Sequence, residues 1–85
     1  RPLTSDLVIS VTERLGADVV MAIIREVKDG AFYASLVLTK NEEEIEIDCR
    51  ASDAIAVALR RASPIYVMER VLVEAGIRSE EDNVQ

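Results

Sequence analysis

Asp48, Arg50, Ser52 and Asp53 fall within six residues, where an alternating acidic strand gives way to an alanine-rich helix. What such a cluster can do is bounded by what the chain lacks. There is no histidine, which removes the commonest general base and transition-metal ligand. One cysteine cannot build a zinc site, and three scattered glycines, Gly16, Gly30 and Gly76, do not make a phosphate-cradling loop. Carboxylate chemistry remains, with a hard divalent cation such as magnesium or manganese as the fitting cofactor. Asp48 and Asp53 flank one strand-to-helix turn, and Asp6 joins them if the two helix starts lie at the same end of the sheet. Such a trio could hold a cation that activates water and stabilises a phosphodiester transition state. Arg50 and Arg1 could clamp phosphate oxygens, with Arg60 and Arg61 extending the basic surface. A purely structural reading stands beside this one. Asp6 and Asp53 suit first helical turns, Thr4 and Ser52 suit N-caps, and Arg50 could pair with Asp6 or Asp48.

The elements that must position these residues follow from periodicity. Leu3, Leu7, Val8, Val11 and Leu15 recur at helical spacing, which predicts a helix over 5–15 closed by Gly16. Residues 19–27 are apolar and β-branched on both faces, as in a central strand. Lys28-Asp29-Gly30 signals a hairpin turn, and a second alternating strand runs from Phe32 to Thr39. A third strand over 43–49 directs Ile45, Ile47 and Cys49 inward and Glu44, Glu46 and Asp48 outward. The next helix is expected over 53–62, burying Ala54, Ile55, Ala58, Leu59 and Ala62, with Pro64 blocking its continuation. A short strand at 65–68 and a short helix at 69–75 complete the order. Tyr33 and Tyr66, able to stack on bases, read instead as half-buried sheet residues.

Eighty-five residues make one domain, and 49% apolar with 31% charged residues makes it globular. With no tryptophan and one phenylalanine, the core is aliphatic. The formal charge of −6 disfavours bulk attraction to nucleic acid but not a local basic patch. The lone Cys49 reads as a buried reduced thiol, which with no secretion signal points to the cytoplasm. No apolar run exceeds the six residues of Val19 to Ile24, too short to span a membrane.

The blocks Arg1-Pro2-Leu3-Thr4-Ser5-Asp6-Leu7, Lys28 to Ala34, Ile47 to Arg60 and Ser63-Pro64-Ile65-Tyr66-Val67 occur in an order and at spacings that resemble the bifunctional nuclease domain family. The resemblance covers residues 1–77, leaving 78–85 as a polar acidic tail. It implies a compact α+β domain with DNase and RNase activity, found in bacteria and plants, acting as a homo-oligomer, a dimer being favoured. By position it places the family's polar motif residues on Arg1, Thr4, Asp6, Asp48, Arg50, Ser52 and Asp53. The chain departs from the family pattern at Ser5, where histidine is usual, and at Ala51, where proline is frequent. The resemblance also implies an upstream β-rich segment that this sequence does not include.

The combined expectation is an α+β domain whose antiparallel or mixed sheet, a three-strand meander plus a short strand, packs against helices. Its expected function is a nuclease acting on DNA and RNA with metal assistance. The alternative is a non-catalytic interaction or regulatory module of the same fold.

Overall fold

A computed structural model describes residues 4–76. The elements run α1 (Thr4–Leu15), β1 (Asp18–Lys28), β2 (Ala31–Lys40), β3 (Glu43–Arg50), α2 (Ala51–Arg60), β4 (Ile65–Val67) and α3 (Glu69–Glu74). The tail at 78–85 lies outside the described residues. The strands form one mixed sheet in the order β3-β2-β1-β4. β1, β2 and β3 are an antiparallel meander, and β4 adds to β1 in parallel. Both hairpins turn through two residues of positive φ, Asp29-Gly30 and Asn41-Glu42. That signature matches the right-handed twist of paired strands. α2 then crosses from the β3 edge to the far edge, where β4 begins after Pro64.

All three helices lie on one side of the sheet. Ile9 of α1, Ala51, Ala54, Val57 and Ala58 of α2, and Val71 of α3 pack with Ala22, Ile24, Ala34, Leu36 and Leu38. Ala22, Ala54 and Ala58 are completely buried. Small side chains at these points let the α2 backbone lie close against β1 and β2.

The structure corrects three details of the sequence reading. α2 starts two residues earlier than expected and ends at Arg60, because β3 passes into the helix without an intervening loop. The helix therefore presents Val57 to the core, while Leu59 turns outward at 68% exposure and Ala62 leaves the helix with a φ of 53°. Ser52 is consequently inside the first turn. Arg50 occupies the N-cap position, and no side chain caps the helix. Replacing Ser52 by alanine should leave stability within about 0.5 kcal/mol, whereas loss of a true N-cap would cost about 1 kcal/mol. Thermal denaturation of the variant checks this.

The third correction concerns β3 and α1. Ile45 and Ile47 point to the helix side, opposite Leu38 and Leu36, but remain 42% exposed. β3 is the edge strand among the described residues, and no helix among them reaches far enough to cover Ile45 and Ile47. α1 buries Ile9 and Thr12 instead of its expected leucine stripe. The Thr12 hydroxyl donates to the Ile9 carbonyl at 2.9 Å. Leu7, Val11 and Leu15 line an apolar groove that Ile45 and Ile47 close on the other side.

A candidate active site on the open sheet face

The opposite face of the sheet carries no helix among the described residues. Pairing places Tyr33 beside Arg50, Ser35 beside Asp48 and Val37 beside Glu46 on this face. Irregular register between Ile24 and Glu26 makes Arg25 an extra residue in β1. Such a bulge re-aims a side chain. Arg25 Nε donates to Ser35 Oγ at 2.8 Å, and its terminal nitrogen pairs with Glu46 at 2.8 Å. β1 and β3 flank β2, so this ion pair bridges across the middle strand. That bridge explains why Ser35 and Val37, on a helix-free face, are each only 1% exposed. Ser35 Oγ in turn approaches Asp48 Oδ1 at 3.5 Å, where it can donate its proton.

Asp48 ends this relay at the rim of a hollow of about 400 Å³, lined by Arg25, Tyr33, Ser35, Asp48 and Arg50 among others. The Arg50 guanidinium lies 5.2 Å from the centre of the Tyr33 ring, within cation–π range. Arg50 makes no ion pair among the described residues. The expected pairing of Arg50 with Asp6 or Asp48 is thus replaced by stacking on Tyr33. Asp53 stands in the first turn of α2, half-buried.

Cys49 lies between these carboxylates and faces the helix side. Burial, then the charge of Asp53, then that of Asp48 push its thiol above the ordinary value of 9.0. Alkylation should therefore reach half its maximal rate above that pH. Asp53→Asn should move the midpoint down further than Asp48→Asn. Neither should restore the ordinary value, because burial is the leading cause. The sign for stability follows. The folded protein holds the proton more tightly than the unfolded chain, so this contribution is complete below pH 9.0 and is lost as pH rises through the raised value. Rate profiles of iodoacetamide labelling check the ordering.

Asp6 is elsewhere. It pairs with Arg60, at the opposite end of α2 from Asp53, about 10 Å along the helix axis at 1.5 Å per residue. The two helix starts therefore do not converge, and no group of three metal-ligating side chains assembles among the described residues. Arg61 turns to Glu13 of α1 at 3.5 Å. Thr4 opens α1, and Arg1 lies outside the described residues. Arg25 and Ser35 enter the site without having been singled out from the sequence, while Glu46, expected only as an outward strand residue, and Tyr33, expected half-buried and found 37% exposed, take part in it. Only the strict alternation of β2 hinted at Tyr33 and Ser35, and nothing local announced the bulge that turns Arg25.

The sequence profile of the bifunctional nuclease domain matches residues 1–80. The chain belongs to the bifunctional nuclease domain family. Its relatives agree. It is 40% identical over 81 residues to bifunctional nuclease 1 of Oryza sativa subsp. indica, covering 92% of this chain and 24% of that protein. It is 36% identical over 84 residues to bifunctional nuclease 2 of Oryza sativa subsp. japonica, covering 95% and 26%. An uncharacterised protein of Mycobacterium tuberculosis is 42% identical over 77 residues, covering 91% of this chain and 45% of that protein. The chain thus spans less than half the length of these curated relatives. No helix among the described residues is long and apolar enough to cross a membrane.

Proposed function

We propose that this domain hydrolyses phosphodiester bonds of DNA and RNA at the β3–α2 junction. The observation that carries the reading is the coincidence of the family match with Arg50, which has no ion-pair partner among the described residues, beside an oriented carboxylate, Asp48. In this reading Asp48, held by Ser35, accepts the proton of the attacking water. Arg50 draws the phosphate oxygens toward it. A magnesium or manganese ion would be held by Asp48 and Asp53, with substrate phosphate and water filling its remaining positions. Sites of one or two carboxylates are usual for magnesium. Such an ion would supply charge neutralisation and water activation. Asp6, committed to Arg60, serves the α1–α2 contact instead.

The lone unpaired thiol of Cys49 supports a reducing, cytoplasmic setting. The apolar groove between α1 and β3 supports assembly with further copies of the chain. That same groove favours the second reading, a non-catalytic module whose business is assembly. One assay separates the two. The purified protein is incubated with labelled single- and double-stranded DNA and RNA, with magnesium, manganese or chelator. Cleavage abolished by chelator and by removal of Asp48 and Asp53 together is the expected result. Cleavage that survives the double variant overturns the site assignment. Its absence with every metal overturns the activity and leaves the assembly module.

A further inference from the structure

The open sheet face holds both tyrosines of the chain. Tyr66 pairs in register with Ile23, and Ile23 with Ser35, which places Tyr66 on the same face as Tyr33. Both rings reach solvent, Tyr33 at 37% and Tyr66 at 54% exposure. Aromatic rings on a sheet face are unusual material for a surface that no helix covers among the described residues. Each has an apolar face that water solvates poorly.

We infer that this face binds unpaired nucleotides, stacking a base on Tyr33 and Arg50 and leading the strand toward Tyr66, so that the substrate of the junction is single-stranded. The inference deepens the nuclease reading and rests on it for its biological sense. Three observations support it. The first is the composite of Tyr33 ring and Arg50 guanidinium at the mouth of the 400 Å³ hollow. Bases stack on aromatic and guanidinium planes alike.

The second is charge. Arg25 is already engaged by Glu46 and Ser35, whereas Arg50 has no carboxylate partner among the described residues. Lys28, in register with Ala31 and beside Tyr33, has no ion-pair partner among the described residues either, so the face offers two available cations set among Glu26, Asp48 and Glu46. Duplex DNA presents one charge about every 1.7 Å of its axis and hides the faces of its bases. A chain of net charge −6 whose face carries only Arg50 and Lys28 as cations unpaired among the described residues is poorly suited to a duplex. It suits one or two phosphates beside one stacked base.

The third is spacing. Tyr33 and Tyr66 are separated by two strand spacings and two residues along the strand, about 12 Å by sheet geometry. Neighbouring stacked bases rise only about 3.4 Å. A strand that touches both rings must be unstacked between them, which a duplex does not allow. Stacking reads the face of a base and ignores the sugar, so DNA and RNA are accepted alike.

The test measures binding without turnover. Fluorescence anisotropy follows an end-labelled oligothymidylate or oligouridylate of about ten nucleotides, within the usual range of single-strand site sizes, in the presence of chelator. A duplex of equal length is the comparison. The expected result is single-strand binding about tenfold or more tighter than duplex binding, similar for the two sugars. Tyr33→Ala should weaken it about tenfold, and Tyr33→Phe should restore it. The logarithmic salt slope should be about −1, as for one or two phosphate contacts. Should Tyr33→Ala unfold, the tyrosine ring protons of the unsubstituted protein give the second readout and must shift upfield on titration. Equal or tighter duplex binding, no detectable binding, or unshifted ring protons overturns the inference. Cleavage without such binding leaves the nuclease reading intact. Binding without cleavage under any metal overturns that reading and keeps this one.

Discussion

Asp48→Ala combined with Asp53→Ala is expected to lower phosphodiester cleavage by at least about a hundredfold. A positioned acid or base alone contributes about 10²–10⁴-fold, and the same substitutions remove both proposed carboxylate ligands for a cation. The two single variants should separate the roles. Asp48 is exposed and lies at the end of the Arg25–Ser35 relay, so its loss acts on the chemical step. Asp53 sits in the first turn of α2, where a negative charge contributes about 0.3–1 kcal/mol through the helix dipole. Asp53→Ala should therefore lower the melting temperature slightly as well as the rate. Single-turnover kinetics alongside thermal denaturation resolve the two contributions. A double variant that cleaves normally places the chemistry elsewhere.

Leu36→Ala is expected to be the most damaging single truncation in the sheet. Leu36 is 3% exposed at the centre of β2, facing the helix layer within the single core cluster. Large-to-small changes at such sites cost about 2–5 kcal/mol. An 85-residue domain has only about 4–13 kcal/mol in total at typical per-residue values. For a domain of this size each kcal/mol corresponds to roughly 4–8 °C. The melting temperature should fall by about 10 °C or more, and with a total at the low end of that range the variant does not refold. Ile47→Ala, directly opposite on the edge strand and 42% exposed, serves as the comparison and should cost far less. Equal losses at the two positions would mean that the groove beside Ile47 is covered in solution.

Periodicity carried most of the fold. Alternation in β2 and β3, the Asp29-Gly30 turn and Pro64 each mark a boundary within a residue or two of where it falls. The reason is local: strand pleat, positive φ and proline geometry act over a few residues. What periodicity missed was set at longer range. The phase of α2 depends on how β3 hands its backbone to the helix, so Val57 and Leu59 exchanged the places expected of them. The exposure of Ile45 and Ile47 depends on which strand is the edge, a matter of topology. The site divided in the same way. Asp48, Arg50 and Asp53 were legible because they are neighbours in sequence. Asp6 went astray because its place depends on how α1 crosses α2, and Arg25 stayed hidden because a one-residue bulge decides its direction.

The two tyrosines also make the molecule its own optical probe. With no tryptophan in the chain, its near-ultraviolet absorption and dichroism arise chiefly from Tyr33 and Tyr66, both on one side of the sheet. The far-ultraviolet signal, by contrast, sums over every helix and strand. Following a melt at both wavelengths therefore compares one surface with the whole. Coincident curves would mark all-or-none unfolding, and an earlier near-ultraviolet transition would mean that the helix-free surface loosens before the body beneath it.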